Sequence, residues 1–279
     1  MHEISIDVRF AHAGGESRNL QVPSSVMGPE RSPIERSEQW LPCRAAPVEV
    51  MKMSSQSDIN QPFLTVGQRF GYDQVDAEFH PFKEFKTTWE RCGTSAEFKV
   101  TDYLATASPE ILEEFAKCLF TRIQQRKSEV YSEPIRNWLQ SQSFIERNQP
   151  IYLRRSRNLL CSPLGAHYDL REPLGSLQSQ GLVKDGHHTF ISWTDRPNRF
   201  RMGYCSVLMK VIAISSVLDS PDIPKYVAEY VLYHEMIHLE KGLDSMRSQH
   251  NAEFRRLERK HPRFKEAEDW LKRIARETR

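Results

Sequence analysis

A short string of the sequence carries residue types that could bind a metal ion and move a proton. His234 and His238 are four residues apart, so in a helix their imidazoles lie one turn above each other and can meet at one ion. Glu235 lies about 100° around the helix from His234. Its carboxylate could there take a proton from water bound to the ion. These three residues predict metal-assisted hydrolysis.

The string has the form His-Glu-x-x-His, which is typical of zinc-dependent proteases. Apolar residues such as Val231 and Ile237 flank the histidines. Two histidines without partners in an apolar interior would be costly, so this context favours metal ligands over ordinary core histidines. The sequence therefore predicts one zinc ion per chain at His234 and His238, with Glu235 as the general base.

A catalytic zinc site needs a third protein ligand. His250 is the leading candidate, because His250, Phe254 and Leu257 recur on one face of the next predicted helix, which also carries His261. The alternative is that His250 is a capping or surface histidine. The weaker candidates for the third ligand are Glu240, Asp244, Glu253 and Glu258.

The elements that must position these residues can be predicted from local patterns. A helix should open near Ser220, run to Lys241 and stop at Gly242. Residues 189–193 and 200–215 are β-prone and predict a small antiparallel sheet of two to four strands beside that helix. Further helices are expected near residues 108–123, 134–144, 168–182 and from 248 to the C-terminus, with a break at Pro262. The expected fold class is α+β and mostly helical.

The chain divides into two parts by composition. Residues 1–60 are rich in Ser, Pro, Glu and Arg and predict a disordered tail, and the native product could begin at Met1 or near Met51. Residues 61–279 predict a single domain with its core at about 101–265. Residues 61–100 are aromatic-rich without a clean period, so irregular segments that cover the domain are expected there.

Composition excludes several classes of protein. The 279 residues are 39% hydrophobic and 27% charged, and they contain no run of about 18 apolar residues that would predict a membrane span. The first residues lack an apolar signal segment. Five widely spaced cysteines form no Cys-x-x-Cys pair, which fits reduced thiols in the cytoplasm. The net charge of +2 is too small to indicate nucleic-acid binding by itself.

Over roughly residues 150–265 the chain resembles the SprT-like and YgjP-like zinc metallopeptidases of the zincin clan. The likeness rests on three blocks in the same order and spacing: residues 192–215, residues 226–238 and residues 250–254. The resemblance implies a zincin-like helix–sheet–helix domain, with zinc held by His234, His238 and His250 and with Glu235 as general base. The chain lacks the cysteine zinc ribbon of the DNA-repair members, which weakens the case for a DNA-associated role.

Two functions remain open at this point. One is a zinc metallopeptidase that acts on a protein or peptide substrate. The resemblance implies that residues 202–209 form an edge strand that holds this substrate, and the alternative is an ordinary covered strand. The other is a non-catalytic zinc-containing binding or scaffold protein, which could be associated with DNA. The residues that could stabilise an oxyanion are Arg199, Arg201, Tyr204 and Tyr233, and none is preferred. Cys205 is expected to be a small core residue. The basic residues at 154–157 and 196–201 predict a solvated face or a weak nucleic-acid surface.

Overall fold

The computed structural model describes residues 58–125, 131–184, 188–243 and 250–276. Within these ranges the chain has the predicted α+β fold. The helices are α1 (Asn60–Arg69), α2 (Pro109–Gln125), α3 (Glu133–Leu139), α4 (Gln142–Arg155), α5 (Arg171–Ser179), α6 (Lys225–Lys241), α7 (Ala252–Glu258) and α8 (Phe264–Arg276). The strands are β1 (Gln74–His80), β2 (Thr87–Cys92), β3 (Ser95–Thr101), β4 (Phe190–Trp193), β5 (Gly203–Ser206) and β6 (Val211–Ile214).

The first sheet corrects the prediction of irregular structure over residues 61–100. Its order is β1-β3-β2, with β1 parallel and β2 antiparallel to β3. Strand β3 buries Ala96, Phe98 and Val100 at a period of two, and the Phe98 ring lies 5.2 Å from Phe63 of α1 and 5.1 Å from Phe120 of α2. The aromatic residues therefore fill a core. The last three residues of β2 are exposed, so apolar and polar residues do not alternate clearly over residues 61–100 as a whole.

The second sheet has the order β4-β6-β5 and is mixed, which corrects the expectation of an antiparallel sheet. Strand β5 pairs antiparallel with β6, and β4 pairs parallel with it. Strand β6 lies between β4 and β5, and all four of its residues are buried, as is typical of a central strand. Strand β5 is left at an edge of the sheet.

Helix α6 is the element on which the candidate site depends. It begins after Pro224 and ends at Gly242, whose φ of 63° is readily adopted by glycine, so the predicted end is confirmed. The helix contacts α5, α7, α8, β5 and β6, and every residue from 230 to 239 is buried. Because water does not reach this stretch, its polar side chains must be satisfied by protein groups or by a ligand.

Three other helix predictions need adjustment. The helix expected over residues 134–144 is interrupted, because the Ser141 hydroxyl accepts a hydrogen bond from the Phe144 amide and starts α4. The helix expected over 168–182 is shorter and is α5. The helix expected from residue 248 begins at Ala252, because Asn251 caps it, and the predicted break at Pro262 separates α7 from α8.

Other expectations concern the tail, the membrane and the thiols. The predicted tail lies outside the described residues up to position 57, and Ile59 is already buried. None of the described helices is long and apolar enough to cross a membrane. Cys92, Cys118 and Cys205 are free thiols, whereas Cys161 is disulfide-bonded. The expectation of reduced thiols is wrong for Cys161, because spacing along the chain does not show which cysteines meet in space.

Candidate metal centre

Three histidines come together on α6 and at the start of the α7 region. The Nε2 atom of His234 lies 3.1 Å from Nε2 of His238 and 3.3 Å from Nε2 of His250. Among the described residues these three form a group whose possible ligand atoms all lie within 4.8 Å of one another. His234 and His238 are buried, and His250 is half-buried. The structure thus brings together the three residues that the sequence suggests as metal ligands.

The three nitrogens fit a metal ion of the size of zinc. Zinc–nitrogen bonds of 2.0–2.1 Å in a tetrahedral site hold two ligand nitrogens roughly 3.3 Å apart, close to the two Nε2 separations seen at His234. A neutral imidazole carries a single N–H, so three such rings cannot all form good hydrogen bonds with both of their neighbours at these distances. A shared cation removes this conflict.

The protonation state of the histidines also suits a metal. Burial lowers the pKa of His234 well below its usual value, and repulsion from His250 adds to the shift. Burial and repulsion from both other histidines lower the pKa of His238 to about 2. The pKa of His250 is lowered as well, chiefly by burial. The rings are therefore neutral near pH 7, which is the form that binds a metal.

His234 is oriented by a carboxylate that follows it in the chain. Its Nδ1 atom lies 2.7 Å from Oε1 of Glu258, and the Tyr230 hydroxyl donates to the same oxygen at 3.2 Å. A carboxylate at Nδ1 holds the proton there and turns the lone pair of Nε2 towards the metal. By contrast, Nδ1 of His238 is buried without a hydrogen-bond partner.

The geometry decides among the weaker candidates for the third ligand. Glu240 accepts a hydrogen bond from the Lys184 amide, and Glu253 pairs with Lys241 at 2.8 Å. Glu258 supports His234 from the other side of its ring. Asp244 lies outside the described residues. His250 is therefore the third histidine of the cluster, and no fourth ligand joins it within the part of the chain that the structure describes.

Phe254 holds the three imidazoles in place. Its side chain is fully buried, and its ring centroid lies 5.0 Å from His234, 4.5 Å from His238 and 4.8 Å from His250. The Phe254 amide donates to Oδ1 of Asn251 at 2.9 Å, so the helix cap fixes the residue that follows His250. His250 precedes α7 rather than lying on it, and His261 packs on Tyr230 instead of joining the cluster.

Glu235 faces a different neighbour from the histidines. Its side chain is buried, and a β-carbon built on Gly203 of β5 would lie 2.8 Å from its Oε1 and 2.9 Å from Val231. Its Oε2 has no hydrogen-bond partner. Burial raises the pKa of Glu235 to about 8, against a lowering by Arg201. A buried carboxyl oxygen without a partner is costly unless a ligand satisfies it.

The structure places the side chains that were considered for oxyanion stabilisation in different surroundings. The Tyr233 hydroxyl donates to the Leu257 carbonyl at 2.8 Å, so it is committed to the core. Arg201 lies over the Tyr204 ring at 4.6 Å and acts electrostatically on Glu235. The structure gives Arg199 no role at this site. Cys205 is buried, and burial raises the pKa of its thiol, as expected for a core residue.

Comparison of the chain with protein-family models, with curated proteins and with solved structures finds no match. The interpretation of the site therefore depends on its own geometry. That geometry consists of three convergent imidazoles, a supporting carboxylate at Glu258 and an unsatisfied carboxyl oxygen at Glu235.

Proposed function

We propose that the protein is a zinc-dependent metallopeptidase. The observation that carries the proposal is the convergence of the Nε2 atoms of His234, His238 and His250. Glu235 adjoins the first of these residues and has a buried oxygen without a partner. A purely structural metal site needs no such carboxylate. The resemblance of residues 150–265 to SprT-like and YgjP-like peptidases supports the same function.

The roles of the residues follow from their chemistry. Zinc held by the three histidines would polarise a peptide carbonyl and lower the pKa of a bound water to about 7. Glu235 would serve as the general base, which accepts a proton from water and passes it to the leaving amine. Glu258 keeps the proton of His234 on Nδ1, and Phe254 fixes the spacing of the rings.

The position of β5 supports an extended peptide as substrate. This strand lies at the edge of its sheet, and Gly203 at its start packs against the Glu235 side chain. A peptide that pairs with an edge strand is held by main-chain hydrogen bonds, and such pairing along residues 202–209 would bring a peptide bond near Glu235. The proposed partner is therefore a protein or peptide segment in an extended conformation.

A second function has one observation in its favour. The Glu235 side chain is 2% exposed, which fits a site closed to substrate as in a zinc-containing scaffold protein. A scaffold would bind zinc without cleaving a peptide, whereas the peptidase requires the carboxylate to meet water.

The experiment pairs zinc content with cleavage on one preparation. Glu235→Gln should keep nearly full zinc occupancy, because the three histidines are untouched. Its cleavage of an unfolded protein should fall about 10²–10⁴-fold, the usual contribution of a general base. Glu240→Gln is the matched control, since Glu240 is an exposed residue of the same helix, and it should cleave like the parent.

Two results would contradict the proposal. A parent protein that holds one zinc per chain without any cleavage would favour the scaffold. A Glu235→Gln variant as active as the parent would remove the general base from the mechanism.

A further inference from the structure

A second concave site lies between the end of α4 and the loop that joins β4 to β5. Its volume is about 670 Å³, within the range of roughly 300–1,000 Å³ found for small-molecule sites. Among the described residues that line it, none belongs to the histidine cluster. It therefore needs an explanation apart from the metal centre.

The charge of this cavity is strongly positive. Arg154 and Arg157 line it from the end of α4 and Arg196 from the loop, whereas Asp195 is the single carboxylate among the described lining residues. In the described part of the chain no ion pair engages any of these three guanidinium groups. Three arginines with a single carboxylate along one concave surface favour the binding of an anion.

The wall of the cavity is fixed by hydrogen bonds of two asparagines. The Asn158 carbonyl accepts from the Asp195 amide and its Oδ1 from the Arg196 amide, both at 3.1 Å. Oδ1 of Asn198 accepts from the amides of residues 200 and 201 at 2.9 Å. The Oδ1 atom of each asparagine accepts hydrogen bonds within the wall, so its Nδ2 is available as a donor to a ligand. Preformed walls of this kind are typical of ligand sites.

The cavity also has an apolar part, formed by Leu153, Leu159 and Pro197. We propose that it binds a small organic phosphate, with the phosphate at the three arginines and the organic group against these apolar residues. A guanidinium donates two parallel hydrogen bonds to a phosphate. A neutral ligand would not require three guanidinium groups. Inorganic phosphate alone would leave the apolar part unused.

Calorimetric titration of the zinc-loaded full chain with phenyl phosphate tests the proposal, with inorganic phosphate as the second probe. Phenyl phosphate should bind saturably and more tightly than inorganic phosphate. Arg157→Gln combined with Arg196→Gln should weaken its binding roughly 10–100-fold, the loss expected for charge-assisted hydrogen bonds. Arg69→Gln combined with Arg147→Gln is the matched control, because both residues are exposed and do not line the cavity.

Each result bears on the proposal. Binding that survives in the Arg157/Arg196 variant would overturn it and would place the phosphate elsewhere, for example on the zinc, which this variant keeps. An equal loss in the Arg69/Arg147 control would show non-specific charge attraction and would also overturn it. Equal affinity for the two probes would refute the role of the apolar wall. None of these results depends on peptidase activity.

Discussion

Glu258 offers a sharp test of how the candidate metal centre is built, because it contacts Nδ1 of His234 and does not belong to the group of three histidines. Its Oε1 lies 2.7 Å from Nδ1 of His234, and the two side chains are 13% and 1% exposed. Exposed ion pairs contribute about 0–1 kcal/mol, but solvent screening is weak for a contact this buried. Loss of such a partner commonly lowers metal affinity 10–100-fold, or about 1.4–2.7 kcal/mol.

The substitution decides where in that range the effect falls. Glu258→Gln replaces a charge-assisted hydrogen bond by a neutral one, and charge-assisted bonds are about twice as strong. Zinc affinity should therefore fall about 10-fold. Glu258→Ala also leaves Nδ1 of His234 without a partner, so its effect should approach 100-fold. Competition with a chelator of known affinity measures both.

Glu253→Gln is the control for this series. Glu253 lies on the same helix but pairs with Lys241 at the surface, so its zinc affinity should match that of the parent. If Glu258→Gln bound zinc as tightly as the parent, Glu258 would not orient His234, and the reasoning from the 2.7 Å contact would be wrong.

Three further predictions address the surroundings of the site. Gly203→Ala places a β-carbon 2.8 Å from Oε1 of Glu235, so it should lower the free energy of unfolding by about 1–3 kcal/mol and reduce cleavage activity. Denaturant unfolding and a peptidase assay measure the two effects, and an unaffected variant would disprove the close packing. Phe254→Ala should lower the free energy of unfolding by about 3–5 kcal/mol and remove most of the zinc affinity. A loss of stability with unchanged zinc affinity would show that the ring does not hold the imidazoles. The metal-free Glu235→Gln variant should lose stability as pH falls from about 6.5 towards 4, because burial lowers the pKa of His261 to about 4 and of His238 to about 2, so that the unfolded chain takes up protons first. This variant is used because the pKa of Glu235, raised to about 8, acts in the opposite direction in the parent. Chemical unfolding at pH 7 and pH 5 in a chelator measures the loss, and equal stability of the variant at the two pH values would contradict it.

Local signals were enough to predict the helix that carries the histidine pair. Gly242 marks the end of α6 as predicted, and the spacing of His234 and His238 places them on one face. The start was predicted less well, because the helix begins at Lys225 rather than near Ser220. The sheets were harder to predict because strand pairing joins distant segments. The parallel pairing of β4 with β6 depends on β6 inserting between two earlier strands, and no local pattern reports that.

The same distinction applies to the site. His250 could be proposed because a histidine followed by an apolar helix face is visible in the sequence. Glu258 was considered as a ligand, but its role beside His234 spans 24 positions and depends on how α7 packs on α6. Gly203 gave no chemical signal at all, since its contribution is the absence of a side chain where Glu235 needs room.

The two faces of α6 are consistent with the proposed function, in which one helix would carry both metal ligands and a general base. Residues 234 and 238 face the start of the α7 region, where Phe254 and His250 complete the cluster. Residue 235 is turned by about 100° and meets Gly203 on the edge strand β5 instead. A metal ion would therefore be held between α6 and the turn that precedes α7, while the carboxylate would be held between a helix and a strand that a peptide could join. Because Gly203 of β5 closely approaches Glu235, changes at Gly203 should alter cleavage more than zinc affinity.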